Sequence, residues 1–290
     1  MAIQRLSTLS DGSFRLDGGA MFGVVPRVLW EQNDPADDQN RILLGLNCLL
    51  VEAPGVVLLV DTGVGDKEGD VFADQFALER ERDLFDALAE RGLAREDVTH
   101  VVNTHLHFDH CGGNTRLDAA GHAEPSFPNA RYVVQRGEWL DATQPHERSR
   151  ASYLARNFLP VQEAGLLDLV EGETELLPGI TLLPTPGHTA HHQSLLLDLP
   201  GGRRLLYAAD LIPTSSHLPL PWIMSYDLYP LDTLETKRAI LERQREEDWL
   251  LYFEHERESP SGRLDWVPTK KGERPVFRPL SLADLVGEAG

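Results

Sequence analysis

The chain has 290 residues, 41% hydrophobic and 25% charged, which is enough apolar content to bury a core and a length that suits one layered domain over 1–290. Asp and Glu total 46 against 27 Lys and Arg, a net charge of -19, and the densest basic stretch (Lys270, Lys271 and Arg274) is short, so a nucleic acid is excluded as a bulk partner. The two cysteines, Cys48 and Cys111, cannot build a disulfide framework, and no signal-like apolar stretch follows Met1. The longest apolar run covers only 55–60, which excludes a membrane-spanning helix; a reducing cytoplasm is expected.

In chain order, an extended N-terminal segment precedes two apolar strands at 42–50 and 56–60, joined as a hairpin by Glu52-Ala53-Pro54-Gly55. Phe76, Leu78, Leu84 and Leu88, interspersed with charge and stopped by Gly92, predict an amphipathic helix over 74–91. A strand at 98–103 delivers Thr104-His105-Leu106-His107-Phe108-Asp109-His110. Another strand follows at 131–134, then helical stretches around 138–142 and 148–164. Strands are expected at 176–183, 194–199 and 204–208, a surface helix at 232–247, and a strand at 249–253 that ends at Glu254 and His255. The tail from 259 to 290, rich in Pro, Gly and charge, shows one weak helix at 280–286.

His105, His107, Asp109 and His110 fall within six residues. Where a strand gives way to a loop, alternate side chains turn toward one point, so His105 and His107 share a face while Asp109 and His110 reach a second point nearby. Imidazole and carboxylate together suit zinc, with iron, cobalt or manganese as alternatives where oxygen donors are added. A single zinc site needs three or four ligands, yet Pro186-Gly187-His188, Ala209-Asp210 and Glu254-His255 each add a candidate just beyond a strand.

His105-Leu106-His107-Phe108-Asp109-His110 resembles the HxHxDH signature of the metallo-β-lactamase superfamily, and further landmarks follow in register. Asp61-Thr62-Gly63 is similar to the family's early Asp-Thr-Gly, Thr185-Pro186-Gly187-His188-Thr189 to its histidine loop, and Asp210 and His255 to its bridging and last ligands. The resemblance implies an α+β fold, a four-layer αββα sandwich, with two divalent metals. His105, His107 and His188 would hold one and Asp109, His110 and His255 the other, with Asp210 bridging and Asp61 and His192 orienting ligating imidazoles. It also implies hydrolysis by a metal-bridging hydroxide, with Asp109 orienting the water or passing its proton to the leaving group.

Met21-Phe22-Gly23-Val24-Val25-Pro26 and 221–227 resemble the quorum-quenching N-acyl-homoserine lactonase branch (YtnP-type) and the related parathion-type hydrolases. On that reading Met21, Phe22, Trp222 and Met224 line an apolar acyl-chain pocket, a use to which flexible Met is suited. Smaller lactonases carry a tyrosine near the bridging aspartate, whereas Asp210 here is followed by Leu211-Ile212-Pro213; Tyr226 is the candidate substitute. A phosphotriesterase or other ester hydrolase is the enzymatic alternative, and a di-iron redox or metal-binding protein the non-hydrolytic one. The expected partner is a small ester or lactone, and a homodimer stays open. His191, His192 and His217 are alternative ligands, the apolar loops equally suit core or a dimer contact, and His100, His122 and His146 read as ordinary histidines.

Overall fold

Apolar runs with no polar alternation make strands that are buried on both faces. The computed structural model describes residues 2–270 and 272–286 and builds two main sheets around such runs. The chain divides into two compact units, one of Met1–Ser13 with Leu46–Thr174 and the other of Phe14–Gly45 with Glu175–Gly290.

The sheet of the first unit uses β1 (Arg5–Asp17), β2 (Arg41–Ala53), β3 (Val56–Val60) and β4 (His100–Val102). After a small ribbon of β5 (Thr115–Leu117) and β6 (Ala123–Pro125), β7 (Arg131–Gln135) and β8 (Leu167–Val170) complete it in the order β1-β2-β3-β4-β7-β8. β2 and β3 form the expected antiparallel hairpin, closed by Pro54-Gly55, and β3, β4, β7 and β8 run parallel. Cys48, Leu50, Leu59, Val101 and Tyr132 pack against Leu84 and Leu88 of a short helix and Val161 of another. Because β3 and β4 are parallel, with Val60 beside Val102, their C-terminal ends deliver Asp61 and Asn103-Thr104 to the same edge, where α/β sheets place their chemistry.

The second unit holds β9 (Thr174–Leu177, beginning at the boundary), β10 (Ile180–Pro184), β11 (Gln193–Asp198) and β12 (Arg204–Tyr207). It continues with β13 (Leu250–Tyr252), β14 (Ser261–Thr269) and β15 (Gly272–Pro279), in the order β15-β14-β13-β12-β11-β10-β9. Ile240 and Leu241 of the helix Pro230–Glu247 pack on Leu183, Leu206, Leu251 and Phe253. β12 and β13 are parallel with Tyr207 beside Tyr252, so Asp210 and His255, each three residues past its strand, emerge side by side.

Several predicted elements differ in the structure. The helix expected over 74–91 is two short ones, Asp70–Phe76 and Leu84–Ala89, separated by Ala77 in the left-handed region. Glu79 bonds through its main chain to Ser13, and Arg80 pairs with the buried Asp11, whose carboxylate also accepts from Leu84 N; these tertiary bonds outcompete local helix propensity. The stretch 148–164 contains only the turn Ala155–Asn157 and the helix Leu159–Glu163, and 176–183 is cut into β9 and β10 at Pro178-Gly179. β1 and the β14–β15 hairpin were not anticipated. The expected helix in the tail is Leu282–Val286. Lys271 and the last four residues of the tail lie outside the described residues. Both cysteines are buried and outside any disulfide, and among the described residues no helix is long and apolar enough to cross a membrane.

Candidate metal centre

In the first unit, the chain leaves β4 at Val102, is extended at His107 and turns helical at Phe108, so the ligand candidates sit on both sides of that turn. His105, His107, Asp109 and His110 are all buried. His105 Nε2 and His107 Nδ1 lie 3.1 Å apart, and His110 Nε2 is 3.8 Å from Asp109 Oδ2. Two further nitrogens are held from behind: His105 Nδ1 by Thr104 Oγ1 at 3.1 Å and His110 Nδ1 by Asp61 Oδ2 at 3.1 Å. Asp61, at φ 55°, also accepts from Thr104 N and Thr104 Oγ1, at 2.8 and 2.7 Å. A carboxylate can only accept, so His110 carries its proton on Nδ1 and directs a lone pair through Nε2. The loop is packed to backbone contact behind these residues: a Cβ on Gly112 would lie 1.9 Å from Val64 O.

In the second unit, the two oxygens of Asp210 face two different imidazoles, Oδ2 at 3.1 Å from His188 Nε2 and Oδ1 at 3.1 Å from His255 Nε2. His255 Nδ1 donates to the carbonyl of Gly45 at 2.9 Å, and His188 Nδ1 to Asp227 Oδ1 at 3.0 Å. With both Nδ1 protons committed to acceptors, each Nε2 of the neutral ring offers a lone pair to a carboxylate oxygen. For the neutral rings that approach is repulsive without a cation between, and buried N and O donors in this arrangement fit a divalent metal. Ala209, at φ 46°, turns the chain so that Asp210 leaves the strand end, and Asp210 N donates to His192 Nε2 at 3.2 Å.

The family model of the metallo-beta-lactamase superfamily matches residues 42–255. The chain belongs to the metallo-β-lactamase superfamily. An N-acyl homoserine lactonase of Bacillus cereus is 27% identical over 235 residues, covering 77% of this chain and 86% of the relative. Among solved structures, a probable metal-dependent hydrolase from Staphylococcus aureus superposes with a TM-score of 0.85 at 30% identity, over 97% of this chain and 99% of the other. An N-acyl homoserine lactone hydrolase with the product N-hexanoyl-L-homoserine at its catalytic metal centre superposes with a TM-score of 0.69 at 26% identity, over 89% and 95%. The α+β class expected from the motif is that of the metallo-β-lactamase fold.

Within this metallo-β-lactamase chain some sequence assignments change. His192 faces Thr185 through Nδ1 and accepts from Asp210 N at Nε2, with its ring 6.1 Å from that of His188. Met21, Phe22 and Met224 are buried and Trp222 is half-buried. Phe22 is stacked between His217 at 4.6 Å and Trp30 at 5.3 Å, so it is a core ring rather than a pocket wall. Tyr226 is exposed. His217 is buried, donates from Nε2 to Met21 O and accepts from Thr214 Oγ1, and burial lowers its pKa to about 3, which keeps it neutral. His191 is exposed, as are His122 and His146, and His100 is bonded to Thr99. Cys111 sits in the motif loop, but its thiol bonds to Leu106 O and burial pushes its pKa up, so it stays protonated.

Three features escaped the sequence reading. Asp227 and the Gly45 carbonyl hold two imidazoles, and a main-chain carbonyl carries no sequence signal. Phe72, Phe76 and Phe108 form an aromatic cluster with centroids 4.6 to 5.2 Å apart, Phe108 standing between His107 and Asp109. The helix that brings Phe72 and Phe76 buries none of its residues.

Proposed function

We propose that the chain opens the lactone ring of N-acyl-homoserine lactones with two divalent metals, its units acting as one catalytic domain over 1–290. His105, His107 and His188 would hold one metal and Asp109, His110 and His255 the other, with the Asp210 carboxylate available to both. The observation that carries this reading is the Asp210 carboxylate, one oxygen toward each of two imidazoles whose other nitrogens are already committed. Zinc suits this nitrogen and oxygen set.

Such a metal pair, when bound, supplies a water acidic enough to be deprotonated near neutral pH and polarises the ester carbonyl. Asp109 accepts the proton of the attacking water and returns it to the ring oxygen. The carbonyl carbon gains an oxygen, its bond to the ring oxygen breaks, and the product is the open-chain N-acyl-homoserine. Tyr226, exposed at the surface of its loop, is the side-chain hydroxyl we assign to the developing oxyanion. The acyl chain takes the aromatic cluster of the half-buried Phe72 and Phe76 with the buried Phe108, the residue before Asp109 in the chain. Relatives at 27% identity named as lactonases support the substrate class.

The test is a panel on metal-loaded protein: short- and long-chain acyl lactones, a phosphotriester, a cephalosporin and a glutathione thioester. Highest kcat/KM on the lactones is expected. A chain that turns over the phosphotriester and leaves the lactones intact contradicts the assignment.

A further inference from the structure

The loop that carries His188 is captured at every main-chain acceptor from Pro186 to His188 by one later stretch of chain. Thr236 Oγ1 donates to Pro186 O at 2.8 Å, Tyr229 N to Gly187 O at 2.9 Å and Leu228 N to His188 O at 3.0 Å. The same stretch supplies Asp227, buried, with Oδ1 3.0 Å from His188 Nδ1. The contact is close enough to admit only glycine at its centre, since a Cβ on Gly187 would meet the Thr233 backbone at 2.4 Å. Lys237, one turn further on and fully buried, donates to Pro219 O and Trp222 O at 2.9 Å each, anchoring the other end of the 219–229 segment.

We infer that Asp227 is a positioning residue of the metal centre: it fixes the tautomer and ring orientation of His188, and 227–236 is the frame that holds the ligand loop. A buried carboxylate on Nδ1 keeps the proton there, makes Nε2 the donor atom and raises its basicity toward a cation. Holding the loop does not by itself call for this carboxylate, because Leu228 N, Tyr229 N and Thr236 Oγ1 already bind its three carbonyls. This inference rests on the metal centre proposed above and is independent of the lactone assignment.

The experiment is a zinc titration of the metal-free chain in competition with a chromogenic chelator, alongside circular dichroism of each variant. The wild-type chain is expected to show two binding steps. In Asp227→Ala the step that involves His188 weakens about 10- to 100-fold while the other moves by less than about threefold, and both folds match by circular dichroism. Two unchanged steps, or two steps weakened equally in a folded chain, overturn the inference. If Asp227→Ala does not fold, Asp227→Asn keeps the volume and an acceptor oxygen; a smaller weakening confined to one step is then expected, and wild-type affinity at both steps overturns the inference. A wild-type chain that takes up zinc and opens no lactone sinks only the substrate assignment, whereas one that binds no zinc sinks both.

Discussion

His217 makes the second unit sensitive to acid in a way that a single substitution should remove. Its ring lies 4.6 Å from that of Phe22 at an interplanar angle of 6°, with Nε2–H donating to Met21 O at 2.9 Å and Nδ1 accepting from Thr214 Oγ1 at 2.8 Å. Protonating Nδ1 breaks the bond from Thr214 and places a charge in a desolvated site that Lys237 also disfavours, which is why the pKa falls from the usual 6.5 to about 3. The folded value is depressed, so the unfolded chain takes the proton first. His217 contributes its full stability above pH 6.5 and loses it as the pH falls toward 3, at ~1.4 kcal/mol per pH unit. By pH 5 the loss reaches about 2 kcal/mol, and by pH 3 about 4 to 5 kcal/mol. His217→Gln keeps an ε-nitrogen donor for Met21 O and cannot titrate. At pH 7.5 it should cost about 1 to 2 kcal/mol through the lost ring stack. Denaturant unfolding of both metal-free chains, followed by circular dichroism from pH 7.5 to 4.5, should then show the two stabilities converging by about pH 5. Curves that stay parallel over that range would refute the reasoning.

Other outcomes follow from the same geometry. Asp210→Asn should strip metal from both positions, read by elemental analysis, and collapse lactone turnover; wild-type metal content and rate would exclude Asp210 as the bridge. Phe76→Ala removes one ring of the aromatic cluster, so kcat/KM on long-chain lactones should fall about 10-fold more than on short-chain ones, worth ~1.4 kcal/mol of apolar contact; an equal loss on both would place the acyl chain elsewhere. Lys237 has its pKa lowered by burial from 10.5 to about 7, so the unfolded chain binds the extra proton between those values and folding stability gains with rising pH across that window. Lys237→Met should abolish this gain in unfolding titrations from pH 7 to 10; retention of the wild-type slope would assign it to other groups.

The proposed ligand set is legible in the sequence because its members obey local rules. His105, His107, Asp109 and His110 occupy a strand end and the turn after it, while His188, Asp210 and His255 each follow an apolar run, and those runs are β4, β10, β12 and β13. The elements that were misjudged are those where distant partners outweigh local preference. β1 lacks a clean alternation, and its pairing is visible only once β2 is laid beside it; the 74–91 stretch has helical periodicity, yet Ser13 and Asp11 pull Glu79 and Arg80 out of a helix.

From its residue order alone, this chain determined which side chains could meet a metal and what donor chemistry they offer, since strand period and turn residues act over a few positions. Tertiary structure alone decided how each imidazole is used. Asp61, Asp227 and the carbonyl of Gly45 reach His110, His188 and His255 across 49, 39 and 210 residues of sequence. It also buried Met21 and Phe22 as core and left Phe72 and Phe76 half-exposed beside Phe108, because solvent exposure depends on what the rest of the chain covers and not on the hydrophobicity of a segment.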